Sequence, residues 1–292
     1  MSLISGFEHF VRENEPLSPL TSLRLGGVAE YFAEPTSTQE LAAIVKRFSE
    51  EGVAVRLIGA GSNVLVPDDG VSGLVIHLSA PTFCQIEIDG MKMRIGGGAR
   101  LSHVVSNAIR EGFNGPQYLA GMPGTIGGAL HSNINVPNVD LSSWVKSVEV
   151  MKHSGEQLTY RGEEIAFSSH ESSFSELVIL AVEIEFEKED PAVLTKQLQK
   201  LWLVSKAKRP PADVNAAYIF KNLGGESAGE LIDSAGLKGT SVGGVSLLDS
   251  DPNYFVASTD AKTSDVEKLI EQVAAQVKEK LDVELETAIQ IW

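Results

Sequence analysis

Cysteine is nearly missing: the chain of 292 residues holds one, Cys84. A single thiol closes no internal disulfide and excludes any multi-cysteine metal or iron–sulfur site. No run of 18 uninterrupted apolar residues occurs, which argues against a transmembrane helix. Low-complexity tracts, long linkers and convincing internal repeats are also lacking. Basic residues are scarce, 24 Lys plus Arg against 39 Asp plus Glu, giving a formal net charge of −15 and a pI of about 4.8. That balance argues against a general nucleic-acid surface. It leaves room for an anionic small ligand, because a local group of cations and backbone amides overrides a distant net charge. The opening MSLISGFEHFVRENEP carries early acids and no basic stretch followed by an apolar one, so it reads poorly as a signal peptide. A cytoplasmic protein with no metal, membrane or nucleic-acid partner is expected. What is present is apolar content of 43%, mean hydropathy of +0.02, and length for roughly two domains.

Elements follow from periodicity and punctuation. Ser37 and Glu40 read as a capping box before Leu41, Ile44, Val45 and Phe48, with Gly52 ending that helix. Val53 to Ile58 reads as a strand, and so does Val64-Leu65-Val66. Met91 to Ile95 alternates as a strand, and Leu101, Val104, Val105, Ala108 and Ile109 mark a helix ending at Gly112. Gly115 to Asn138 shows little periodicity. Strands resume at Val145 to Met151 and Leu177 to Phe186, then a helix runs from Pro191 to about Lys206. Arg209-Pro210-Pro211 marks the best domain boundary, because proline ends helices and stiffens linkers. Beyond it lies a mixed α+β unit. Ser264 and Glu267 read as a second capping box, Val266, Leu269, Ile270, Val273, Ala274, Val277 and Leu281 as one apolar face, and Val283 to Ile291 as a closing strand.

Two glycine-rich segments draw attention. Gly59-Ala60-Gly61-Ser62-Asn63 follows a strand, but Val64-Leu65-Val66-Pro67 after it is β-like. A dinucleotide fingerprint must open a helix, so this loop is not of that kind. It is either an ordinary tight turn or a nest of amides for phosphate. Ala120-Gly121-Met122-Pro123-Gly124-Thr125-Ile126-Gly127-Gly128-Ala129 packs four glycines and a proline into ten residues. It is either a long structural loop or a surface that lays backbone against a flat or anionic ligand. Together the two segments point to a flavin or nucleotide held by backbone.

These segments carry a resemblance. Thr21-Ser22-Leu23-Arg24-Leu25-Gly26-Gly27, Gly59 to Leu65, Ala120 to Leu130, Phe220-Lys221-Asn222, Ser227 to Asp233 and Ala235 to Gly239 resemble the MurB family of UDP-N-acetylenolpyruvoylglucosamine reductases, in order and spacing, over nearly the whole chain. The resemblance implies an α+β protein: an FAD-binding fold of the vanillyl-alcohol-oxidase type in two α+β subdomains, residues 1–80 and 81–208, then a C-terminal substrate domain, 209–292. It implies non-covalent FAD, NADPH as hydride donor, a UDP-sugar substrate, and a monomer or weak oligomer. The length is similar to the shorter class of the family. Carried over residue by residue, the cofactor contacts are Arg24, Gly59, Ala60, Gly61, Ser62, Asn63, Leu65, Gly121, Pro123, Gly124, Thr125, Gly127, Gly128 and Ala129. The substrate contacts are Lys208, Arg209, Lys221 and Asn222, with the basic residues before the boundary placed to neutralise a diphosphate.

The catalytic positions depart from the family pattern. His170 in Phe167-Ser168-Ser169-His170-Glu171-Ser172 replaces an arginine, Tyr218 in Ala217-Tyr218-Ile219-Phe220-Lys221-Asn222 replaces a serine, and Ala288 in Leu285-Glu286-Thr287-Ala288-Ile289 replaces a glutamate. His170 carries only partial charge near pH 7 and lacks the guanidinium fork. Tyr218 holds a phenolic proton fit for a general acid, or it is a packed aromatic. Glu286 or Glu284 would supply the missing carboxylate if the strand bulges. His170 and Tyr218 are the catalytic candidates of an active reductase. The alternatives are a MurB-like protein that keeps FAD or UDP-sugar binding for a regulatory role, and a flavoenzyme with another substrate.

Overall fold

The computed structural model describes residues 2–133, 141–165, 167–168, 171–172, 174, 177–211, 213–223 and 225–292, with the backbone alone at 141, 142, 163, 167, 168, 171, 172 and 208. His170 therefore lies outside the described residues. The chain divides into two compact units. The first comprises Met1–Asn14, Glu30–Ala60 and Ser72–Leu203, and the second Glu15–Ala29, Gly61–Val71 and Val204–Trp292. Among the described residues no helix is long and apolar enough to cross a membrane.

In the first unit the helix Thr38–Glu50 buries Leu41, Ile44, Val45 and Phe48. The Ser37 Oγ accepts from the Glu40 N–H at 3.2 Å, half of the expected box. The other half differs. The Glu40 carboxylate takes the N–H and hydroxyl of Thr36, one residue earlier, at 2.7 and 2.9 Å, and meets His9 at 3.1 Å. Parallel strands Val55–Ile58 and Val71–His77 lie in one four-stranded sheet. A second, antiparallel sheet orders its strands Gln157–Arg161, Val145–Met151, Val178–Glu185, Lys92–Gly96 and Ile86–Asp89. The helix Leu101–Arg110 buries its expected face in the core of that sheet, with Val148, Val182 and Phe174. The register slips at Leu180, between Ile179 and Ala181, and the Leu180 carbonyl takes the Gly97 N–H at 2.8 Å.

The second unit is built on an antiparallel sheet of Ala216–Tyr218, Asp251–Ala257, Val245–Leu248 and Ser241–Val242, in that order. The helices Ala228–Ser234 and Thr263–Leu281 close its core around Ile219, Phe220, Phe255 and Leu269. The last helix buries Val266, Leu269, Ile270, Val273 and Val277, as its periodicity requires, while Ala274 and Leu281 are half-buried. Its start is not the Ser264–Glu267 box. The helix begins at Thr263, and its first amides, Thr263 and Ser264, donate to the Asp68 carboxylate at 2.7 and 3.1 Å. Asp265, rather than Glu267, reaches back to the Lys262 N–H at 3.2 Å. Leu23, Leu25 and Leu65 belong to this same core. The closing strand is shorter than the periodicity suggests: Gln290–Ile291 pairs in parallel with Val64–Leu65.

Candidate functional site

Within the first unit, Gly59 of the first glycine-rich segment meets the second segment. Gly124 accepts from the Leu101 N–H at 3.0 Å, Ile126 donates to Ala99 at 2.9 Å, and Gly127 donates to Gly97 at 2.8 Å. The loop is thus stitched onto the Gly97–Ala99 turn at the end of the strand Lys92–Gly96. It is not wholly loop: Ile126–His131 forms a short helix whose Thr125 cap accepts from the Gly128 N–H at 3.2 Å. Only glycine fits where the segments meet. A Cβ on Gly59 would lie 2.7 Å from Thr125 Oγ1, and one on Gly127 would lie 2.7 Å from the Gly97 carbonyl. Residues distant in sequence are brought together this way. Gly121, Pro123 and Gly128 are exposed. At Gly128 an added Cβ would find only Thr125 Oγ1, at 3.3 Å. The result is a bare stretch of backbone on a tightly packed base, which fits a flat cofactor held by main-chain groups.

In the second unit, the Ser22 N–H donates to Gly61 at 3.0 Å, and the Asn63 carbonyl accepts from Gln290 at 2.9 Å. Leu65 is buried in the core, so its side chain serves packing there. Arg24 has a positive φ of 57° and gives its guanidinium to the Pro19 carbonyl.

Tyr218 and Asn222 meet at the end of the strand Ala216–Tyr218. The Tyr218 hydroxyl donates to Asn222 Oδ1 at 2.8 Å. The same oxygen accepts the Ala228 N–H, at the start of the helix Ala228–Ser234, at 3.0 Å. Asn222 is thereby fixed from two sides. Buried Asn253 holds the intervening backbone: its Oδ1 accepts the Phe220 N–H, and its Nδ2 donates to the Phe220 carbonyl, each at 2.8 Å. Tyr254 pairs with Tyr218 across the strands, with ring centroids 5.3 Å apart and planes at 67°. Burial pushes both phenols above their ordinary value. Contacts from Asn253 and Asn222 partly offset this for Tyr218, and the Arg209 guanidinium does so for Tyr254. The sequence reading did not single out Asn253 or Tyr254. The signal was a polar Asn-Tyr pair entering the apolar Phe255-Val256-Ala257 strand.

Ala288 lies beside this cluster, its N–H donating to Ile219 at 2.7 Å. The two acids expected to stand in for a glutamate here, Glu286 and Glu284, are both engaged by lysines. Glu286 lies against Lys221 at 3.2 Å, and Glu284 is drawn to Lys278. Lys221 is therefore an ion-paired cation in this state. Lys208 ends the helix Pro191–Lys208. Arg209 follows it with a buried Nη1 that has no partner among the described residues.

Comparison with known proteins points one way. Residues 209–292 match the family model for the UDP-N-acetylenolpyruvoylglucosamine reductase C-terminal domain, and 29–161 match an FAD binding domain. A relative named UDP-N-acetylenolpyruvoylglucosamine reductase, from Rhodopirellula baltica, is 38% identical over 97% of this chain and 93% of its own. One from Symbiobacterium thermophilum, UDP-N-acetylenolpyruvoylglucosamine reductase 2, is 32% identical over 97% and 92%. The crystal structure of the MurB reductase from Thermus caldophilus superposes with a TM-score of 0.82 at 28% identity, covering 97% of this chain and all of that one.

Proposed function

Because this chain belongs to the UDP-N-acetylenolpyruvoylglucosamine reductase family, we propose that it reduces the UDP-sugar enolpyruvyl ether to UDP-N-acetylmuramate for peptidoglycan synthesis, with FAD as cofactor and NADPH as reductant. The observation that carries this reading is the end-to-end match, which spans cofactor-binding and substrate-binding parts alike. FAD, when bound, supplies hydride transfer from NADPH to the substrate double bond. Gly59, Ala60, Gly121, Pro123, Gly124, Thr125, Gly127, Gly128 and Ala129 would hold it through the bare backbone of the first unit. On sequence pattern alone, Arg24, Gly61, Ser62, Asn63 and Leu65 are assigned to the cofactor as well. Residues 1–80 and 81–208 would form the two flavin subdomains and 209–292 the substrate domain.

The protein's own chemistry is proton delivery and charge neutralisation. Tyr218 is the proton donor to the carbon α to the carboxylate. Burial keeps its phenol protonated, and Asn222, held by the Ala228 N–H, fixes the direction of the O–H. The phenol must exchange its bond to Asn222 for the substrate. Lys208, Arg209, Lys221 and Asn222 are the UDP-sugar contacts, and His170 takes the position of the family arginine. The protein works as a monomer or weak oligomer in the cytoplasm.

One observation favours a second reading. Glu286 and Glu284 are both paired to lysines, so neither stands ready to replace the carboxylate lost at Ala288. That fits a protein that keeps the ligands and has lost the reduction. Anaerobic single-turnover oxidation of the FAD-loaded, NADPH-reduced protein by UDP-N-acetylenolpyruvoylglucosamine separates the two. Fast return of the oxidised flavin absorbance with UDP-N-acetylmuramate formed supports the reductase. Firm FAD binding with no reoxidation supports the second reading.

A further inference from the structure

Arg209 holds one guanidinium nitrogen in reserve. Its Nη1 is buried and has no partner among the described residues. A buried charged donor left unsatisfied costs more than a neutral one, and such costs persist where a ligand supplies the partner. The guanidinium also lies close enough to the Tyr254 phenol to offset part of the rise that burial causes there. Tyr254 in turn stands edge-on to Tyr218, 5.3 Å away. Arg209 thus acts on the ring that packs against the phenol assigned to proton delivery. Asp251, the carboxylate that acts on both phenols, is held through Oδ1 by the Asn253 N–H at 3.1 Å.

We propose that Arg209 binds the carboxylate of the enolpyruvyl group beside Tyr218, with Tyr254 as its positioning residue. The guanidinium then supplies the permanent, planar charge that histidine at position 170 lacks. This assignment rests on the reductase reading. It moves Arg209 from the diphosphate end of the substrate to the reacting end.

The test is calorimetric binding to the FAD-loaded, oxidised holoenzyme, where no turnover occurs. Two ligands are compared: UDP-N-acetylenolpyruvoylglucosamine, and UDP-N-acetylglucosamine, which keeps the diphosphate and lacks the carboxylate. Arg209→Gln should weaken the first about 10- to 100-fold, as loss of a charged hydrogen bond does, and leave the second unchanged. Tyr254→Phe should weaken the first by a smaller factor with the second again unchanged. Equal weakening of both ligands would assign Arg209 to the diphosphate, and no change in either would leave it without a ligand role. Each of those results overturns the proposal. If Arg209→Gln does not fold, Tyr254→Phe carries the comparison alone, and an unaltered affinity ratio sinks the idea. A parent protein that binds neither ligand overturns the reductase reading together with this one, whereas normal parent binding with an indifferent Arg209→Gln overturns this one alone.

Discussion

Tyr218 gives its one proton to Asn222, and Asn222 is itself held by the Ala228 N–H. Removing that proton while keeping the ring tests the assigned role directly. Tyr218→Phe should leave flavin reduction by NADPH intact and slow reoxidation by the enolpyruvyl substrate by about 100-fold or more, followed in stopped flow. Equal reoxidation in variant and parent discards the role. Because burial raises this phenol above its ordinary 10.0, the donor stays protonated through neutral and mildly alkaline pH. The reoxidation rate should therefore show little alkaline loss assignable to Tyr218 below about pH 9. Asn253 has a structural counterpart. Asn253→Ala strips both partners from the Phe220 backbone and should cost about 3 kcal/mol in denaturant unfolding, from two buried groups left unpaired. At this scale the sequence was informative about Tyr218, Asn222 and Lys221, which sit in a quoted motif. It was silent on Asn253 and Tyr254, because their importance comes from strand pairing with residues more than thirty positions away.

Helix starts show where local reading works and where it fails. Ser37 caps Thr38–Glu50 from the adjacent residue, so the pattern was legible. Asp68 caps Thr263–Leu281 from 195 positions away, and no local pattern announces that. The Ile126–His131 helix was hidden for another reason. Two of its six residues are glycine, which carries no periodicity. Glu40 offers a measurable handle. The Thr36 N–H, with His9, lowers its carboxyl from 4.5 to about 2. A lowered value adds stability that is fully present above pH 4.5 and is lost as pH falls through about 2. Glu40→Gln should therefore flatten the decline of Tm between those limits, in thermal scans at stepped pH. An unchanged slope would show that the carboxylate is not held this way in solution.

On the scale of the whole molecule, the double proline at Pro210-Pro211 marks the start of the C-terminal third but not the whole of the second unit. Residues 15–29 and 61–71 join that third, and Leu23, Leu25 and Leu65 fill its core. Sequence alone showed which segments bear family motifs. It did not show that the early ones complete a late core, because packing between distant segments leaves no local periodicity. A fragment of residues 209–292 should accordingly fail to fold cooperatively. Its amide spectrum should be poorly dispersed, while the full chain unfolds in a sharp transition. A well-dispersed spectrum from the fragment would show that its own core suffices.

The bond from the Thr263 hydroxyl to the Val66 carbonyl spans 197 positions. During synthesis, Val66 must wait for that many residues to leave the ribosome. At about 5–20 residues per second the wait is on the order of 10–40 s. Throughout it, Leu65 and Val66, both fully covered in the finished protein, lack the part of their cover that comes from the last helix and its core. Slower translation would lengthen that exposure without changing a single contact of the folded state. Yield at high expression should therefore respond to synthesis rate and chaperone supply more than to the stability of the finished fold.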